Sequence, residues 1–76
     1  MKKAEYKLHK AFFNALESYI TDGFIVKEKC TSFNDCYAII EKDRRIFLLT
    51  ADFISLCLSL FTYPKRKLLS KTTFEN

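Results

Sequence analysis

The chain has 76 residues and a formal net charge of +4, with one Gly, one His, one Pro, three Cys and no Trp. A length below the usual ~100–150 residues of a domain predicts one small domain over 1–76. A single glycine, Gly23, excludes phosphate-cradling loops, and a single histidine, His9, excludes two-histidine metal motifs and argues against a catalytic triad.

What is left is rich in apolar residues, 49% hydrophobic and 16% aromatic. A chain this short buries only about 63% of its unfolded surface. The functional question is therefore whether its apolar residues gather on a face that the chain cannot cover by itself. No apolar run follows Met1-Lys2-Lys3, because Glu5, Lys7, His9 and Lys10 interrupt it, so no secretory signal is expected. A cytoplasmic protein with reduced thiols follows from that expectation.

The first predicted element is a helix from Lys3 to Asp22, stopped by Gly23. At ~100° per residue, Tyr6, Leu8, Phe12, Phe13, Leu16, Tyr19 and Ile20 fall on one arc, extended by Ala4, Ala11 and Ala15. Lys3, Lys7, Lys10, Asn14, Ser18 and Thr21 take the opposite side. The arc spans ~160°, beyond the ~100° that a half-buried helix needs.

Two β-branched and aromatic runs follow at 24–30 and 36–42, joined by the turn chemistry of Thr31-Ser32-Phe33-Asn34-Asp35. Asp43-Arg44 makes a second turn into a third strand, 45–50.

The segment 51–63 carries two patterns. Asp52, Ser55, Ser59 and Thr62 share a helical face, whereas Ile54, Leu56, Leu58 and Leu60 alternate with polar residues as a strand would. Leucine propensity, Thr50 as N-cap, Asp52 in the first turn and Pro64 as a stop predict a helix. Residues 64–76 then form a basic tail. The expected architecture is α+β: an N-terminal helix, a three-stranded antiparallel meander, and a C-terminal helix packed on the sheet.

Chemistry-bearing constellations are few. Cys30, Cys36, Cys57 and His9 add up to one zinc site in number but not in spacing, so no metal and no cofactor is expected. Cys30 and Cys36 are expected to face each other across the first hairpin loop. Glu5 and His9 are four residues apart and can pair, but no nucleophile stands beside them, and an enzyme is not expected.

These observations point to a non-enzymatic protein-interaction module. Tyr6, His9, Phe12, Phe13 and Tyr19 are its contact face, for a larger protein or for a homodimer. Many Lys, Phe and Ile with few Gly and Ala suggest an AT-rich genome, and a small, site-poor single domain suits a phage or mobile-element accessory protein that inhibits a host protein.

The alternative is a small nucleic-acid-binding accessory protein using Arg44, Arg45, Lys65, Arg66 and Lys67, with Phe33 and Tyr37 stacking on bases. A third alternative places 46–63 in a membrane as a helix of about 27 Å. Asp52 within that span argues against it.

Overall fold

The computed structural model describes residues 3–32 and 35–74. One helix, α1 (Lys3–Thr21), is followed by five strands, β1 (Ile25–Thr31), β2 (Asp35–Lys42), β3 (Arg45–Asp52), β4 (Cys57–Thr62) and β5 (Leu68–Thr73). The strands form one sheet in the order β1-β2-β3-β4-β5, and every neighbouring pair is antiparallel. The chain is an α+β protein with its helix on one face of a meander.

α1 ends as its sequence dictates. Gly23 has a positive φ of 101°, its N–H bonds the Ile20 carbonyl, and the Phe24 N–H reaches back to the Tyr19 carbonyl. This is a Schellman closure, and its hydrophobic partner contact is the Tyr19–Phe24 ring pair with centroids 5.1 Å apart. α1 has no basic residue in its last turn. Lys42 of β2 supplies that charge, donating from Nζ to the Asp22 carbonyl at 2.7 Å.

The core lies between α1 and the middle of the sheet. Leu8, Phe12 and Leu16 descend onto Cys36, Ala38 and Ile40 of β2 and Leu49 and Ala51 of β3. Cys36 pairs with Ala51 and Ala38 with Leu49, so small side chains occupy the sheet centre and let the helix approach closely. Strand alternation places Tyr37, Ile39 and Glu41 on the other face of β2.

The expectation of a three-stranded meander with a C-terminal helix is overturned. Residues 51–63 form the end of β3, a tight turn and β4, and the presumed tail contributes β5 over 68–73. The turn is built by Asp52. Its Oδ1 accepts from the N–H groups of Ile54 (2.9 Å) and Ser55 (3.4 Å), and its Oδ2 accepts from the Ser55 hydroxyl (2.7 Å). Leu56 then takes a positive φ of 54°, which no helix interior accommodates.

Asp52 does cap backbone amides as an N-terminal helix residue would, but it closes a hairpin instead. Once turned, β4 has a partner on each side, β3 and β5, and that ladder outweighs the modest helix propensity of leucine. Pro64 sits in the β4–β5 loop, which Thr62 staples: its hydroxyl donates to the Lys65 carbonyl and accepts from the Lys67 N–H.

No helix among the described residues is long and apolar enough to cross a membrane, and 46–63 is not helical.

The two sheet edges differ. β1 carries Lys27, Glu28 and Lys29 and a register shift between Val26 and Glu28, both of which discourage edge pairing. β5 carries Lys71 alone among six exposed residues.

Candidate functional site: the uncovered face of the sheet

α1 covers one face of the sheet, and among the described residues no element covers the other. That second face is lined by the alternate residues of each strand. Tyr37 and Ile39 come from β2, Leu48 and Thr50 from β3, and Phe61 from β4, with Tyr63 from the following loop. They surround an open groove of about 600 Å³. Leu48 at its centre is only 2% exposed although no second layer lies over it. It is paired with Phe61 and Ile39 in the flanking strands, and these side chains close around it.

The groove is electrically lopsided. In a meander, successive loops alternate between the two ends of the sheet. The β1–β2 and β3–β4 connections lie at one end, with Asp35 and Asp52 directly opposite each other in the pairing register.

Asp52 is held by Ser55. Its hydroxyl hydrogen bond, with the backbone N–H groups, holds the Asp52 carboxyl below the ordinary carboxylate range. Lys71 of β5 assists from a distance. Further along the same face the Tyr37 hydroxyl donates to Glu28 Oε2 at 2.6 Å. That bond and the carboxylate's charge push the Tyr37 phenol up, so it stays protonated.

The opposite end is basic. The β2–β3 turn (Asp43-Arg44) and the β4–β5 loop (63–67) meet there: the Tyr63 N–H bonds the Ile46 carbonyl at 3.1 Å. Arg44, Arg45, Tyr63 and Leu69 line one shallow depression. Arg66 reaches the groove itself. The candidate phosphate-contacting residues Arg44, Arg45, Lys65, Arg66 and Lys67 thus share one end of the molecule, a convergence that spacing alone did not reveal. Phe33 lies outside the described residues, so its stacking role with Tyr37 has no structural account.

The contact face expected on α1 is split by the packing. Phe12 is 0% exposed and belongs to the core, and Tyr19 packs against Phe24 and the core edge. His9 lies between Phe13 (4.9 Å) and Phe53 (6.1 Å) by ring centroids, an aromatic neighbourhood and not a carboxylate one. Tyr6 (59% exposed) and Phe13 (37%) face outward, in line with the half-exposed Ile20 one heptad further on. Among the described residues no second helix covers this ridge.

The cysteines do not face one another. Cys30 pairs with Tyr37 and so lies on the uncovered face, while Cys36 points into the helix-side core. The expectation of a facing pair fails because the register offsets the two residues by one. Burial first, then the neighbouring Asp35, pushes the Cys36 thiol up. Among the described residues, no cluster of three His, Cys, Asp or Glu could hold a metal ion.

The candidate-site residues that sequence reasoning missed are Ile39, Leu48, Phe61 and Tyr63. The alternation of 57–63 carried the signal for the last two, and reading that segment as helix concealed it. No family model, curated protein or solved structure matches the chain.

Proposed function

We propose that the chain is a non-enzymatic protein-interaction module that binds through the uncovered face of its sheet. The observation that carries this is the apolar and aromatic strip of Tyr37, Ile39, Leu48, Phe61 and Tyr63 on a face without a second layer. Aromatic side chains around a buried aliphatic centre with a charged rim have the composition of a binding surface's core. In its finer form the proposal is of a cytoplasmic phage or mobile-element accessory protein that occludes a larger host protein.

The test is a photo-cross-linking residue placed at Tyr37 or Tyr63, with positions on the polar side of α1, such as Asn14, as controls. Expected are discrete protein adducts from the sheet positions and none from Asn14. Equal labelling from both would overturn the proposal.

A second reading is favoured by one specific observation, the meeting of the two basic turns at one end of the sheet. In that reading Arg44, Arg45, Lys65, Arg66 and Lys67 contact phosphates, and Tyr63 offers a stacking ring beside them. Retention on single- or double-stranded nucleic acid at about 50 mM salt that falls steeply by about 200 mM is the expected sign. No retention at the lower salt would sink it.

A further inference from the structure

The groove's charge distribution suits one occupant in particular. Its lining carries Asp35 and Asp52 at one end and Arg66 at the other, with Ile39, Leu48 and Phe61 between them and Glu28 level with that apolar row. A second copy turned about a two-fold axis that lies between two facing sheets, perpendicular to the strands, runs its strands in the opposite direction. Each basic end then lies over the other copy's acidic end, and the apolar strips meet in the middle.

We infer that the uncovered face is a self-complementary homodimer surface. It would give a four-layer helix–sheet–sheet–helix particle with Arg66 of each copy set against the Asp35 and Asp52 carboxylates of the other. This rests on the proposal that the sheet face binds protein, and it names a second copy as that protein in place of a larger host protein.

The arrangement obeys ordinary sheet packing, with facing sheets about 10 Å apart and strands within about 30° of alignment. It gives Arg66 an acidic counterpart. Asp35 and Asp52 stand opposite each other in the pairing register, and a guanidinium placed between them donates to both carboxylates. Ile54, 95% exposed at the tip of the β3–β4 turn on the groove's rim, is carried over the basic end of the other copy, where Tyr63 offers an apolar surface.

Five strands at about 4.8 Å spacing and about 20 Å of strand length give a projected face of about 480 Å² per copy. The two copies together give about 960 Å², at the low end of interface sizes, so the dimer is expected to be weak and concentration-dependent.

The test uses the full chain and sedimentation equilibrium over a concentration series. Arg66→Glu and Asp35→Arg each alter an exposed side chain that makes no side-chain hydrogen bond among the described residues, so both variants are expected to keep the wild-type circular dichroism. Each alone is expected to weaken dimerisation at least tenfold. Mixed in equal amounts, they are expected to associate with each other to within about threefold of the wild-type affinity, because both reversed charges then face opposite charges across the two-fold.

A dimer unmoved by either substitution overturns the inference, as does failure of the mixture to recover. A chain that stays monomeric up to about 1 mM also overturns it. If cross-links from Tyr37 to another protein persist in that case, the proposed function stands and only the identity of the partner fails.

Discussion

Phe12 and Phe13 are adjacent in sequence, fall on the same helical arc and differ sharply in burial, 0% against 37% exposed. Replacing each by alanine separates what the core needs from what the surface carries. For Phe12→Ala the lost transfer of a fully buried ring and the cavity left above Cys36 and Ala38 together cost about 3–5 kcal/mol.

For Phe13→Ala the side chain is open to solvent on one side, so no closed cavity forms. With roughly two-thirds of a ~2–3 kcal/mol transfer term lost, the cost is about 1.5 kcal/mol. Its edge contact with Phe12, 5.5 Å between centroids, adds a few tenths at most.

A domain of this size has about 4–11 kcal/mol of stability in total. Phe12→Ala should therefore melt at least about 12 °C below wild type, and Phe13→Ala about 6–12 °C below it. Urea titrations followed by far-ultraviolet circular dichroism measure both. Equal costs, within about 0.5 kcal/mol, would refute the placement of α1 on the sheet, because a helix turned by about 50°, half the angle between adjacent residues, is the arrangement that makes the two phenylalanines equivalent.

Further expectations are narrower. Arg44 holds a left-handed φ of 66° in the two-residue β2–β3 turn, so Arg44→Gly should raise stability by about 0.5 kcal/mol, the relief of strain exceeding the added unfolded-state entropy; a lower melting temperature would contradict this. Asp52→Ala should cost about 1 kcal/mol at pH 7, kept modest by solvation of the carboxylate.

The Asp52 carboxyl lies below its ordinary value, so its contribution is complete above about pH 4 and is lost as pH falls through the lower folded value. The gap between wild type and variant should accordingly close in acid melts below about pH 4, and a gap that widened there would reverse the assignment. Under native conditions a thiol reagent should modify Cys30 first, because Cys36 is buried with a raised thiol and Cys57 is nearly buried. Rapid labelling of Cys36 would contradict the helix-side packing.

The first two-thirds of the fold is legible because local chemistry and tertiary packing agree there. Gly23 is the only glycine and stands where a left-handed residue must close α1. Asp43-Arg44 is polar punctuation between two alternating apolar runs. From Asp52 onward the local signals are ambiguous, since a side chain that caps amides can open a helix or close a turn. The decision came from tertiary pairing, β4 between its neighbours β3 and β5, which the local pattern of 51–63 does not display.

The same limit hid the candidate site. Tyr37, Leu48 and Phe61 come from three strands and become neighbours only through register. The basic end was legible as residues but not as a place, because Arg44 and Lys65 are brought together by the parity of loops in a meander. The wide arc of α1 was real as a pattern, yet the small residues beneath it absorbed Phe12 and left only Tyr6, Phe13 and Ile20 outside.

Because every strand pairs only with its neighbours in sequence, the sheet can assemble without closing any long loop. Each hairpin connection is a few residues, and the entropy of closure at each step is small and nearly the same. A mostly β protein usually folds slowly because distant segments must meet before they are rewarded. Here the sheet's pairings have low sequence separation, and the distant contacts of consequence are those of α1 on β3 and β4. The rate-limiting event in refolding should therefore be the docking of the helix onto a preformed meander, and substitutions at Leu8 or Phe12 should slow folding more than substitutions within any single turn.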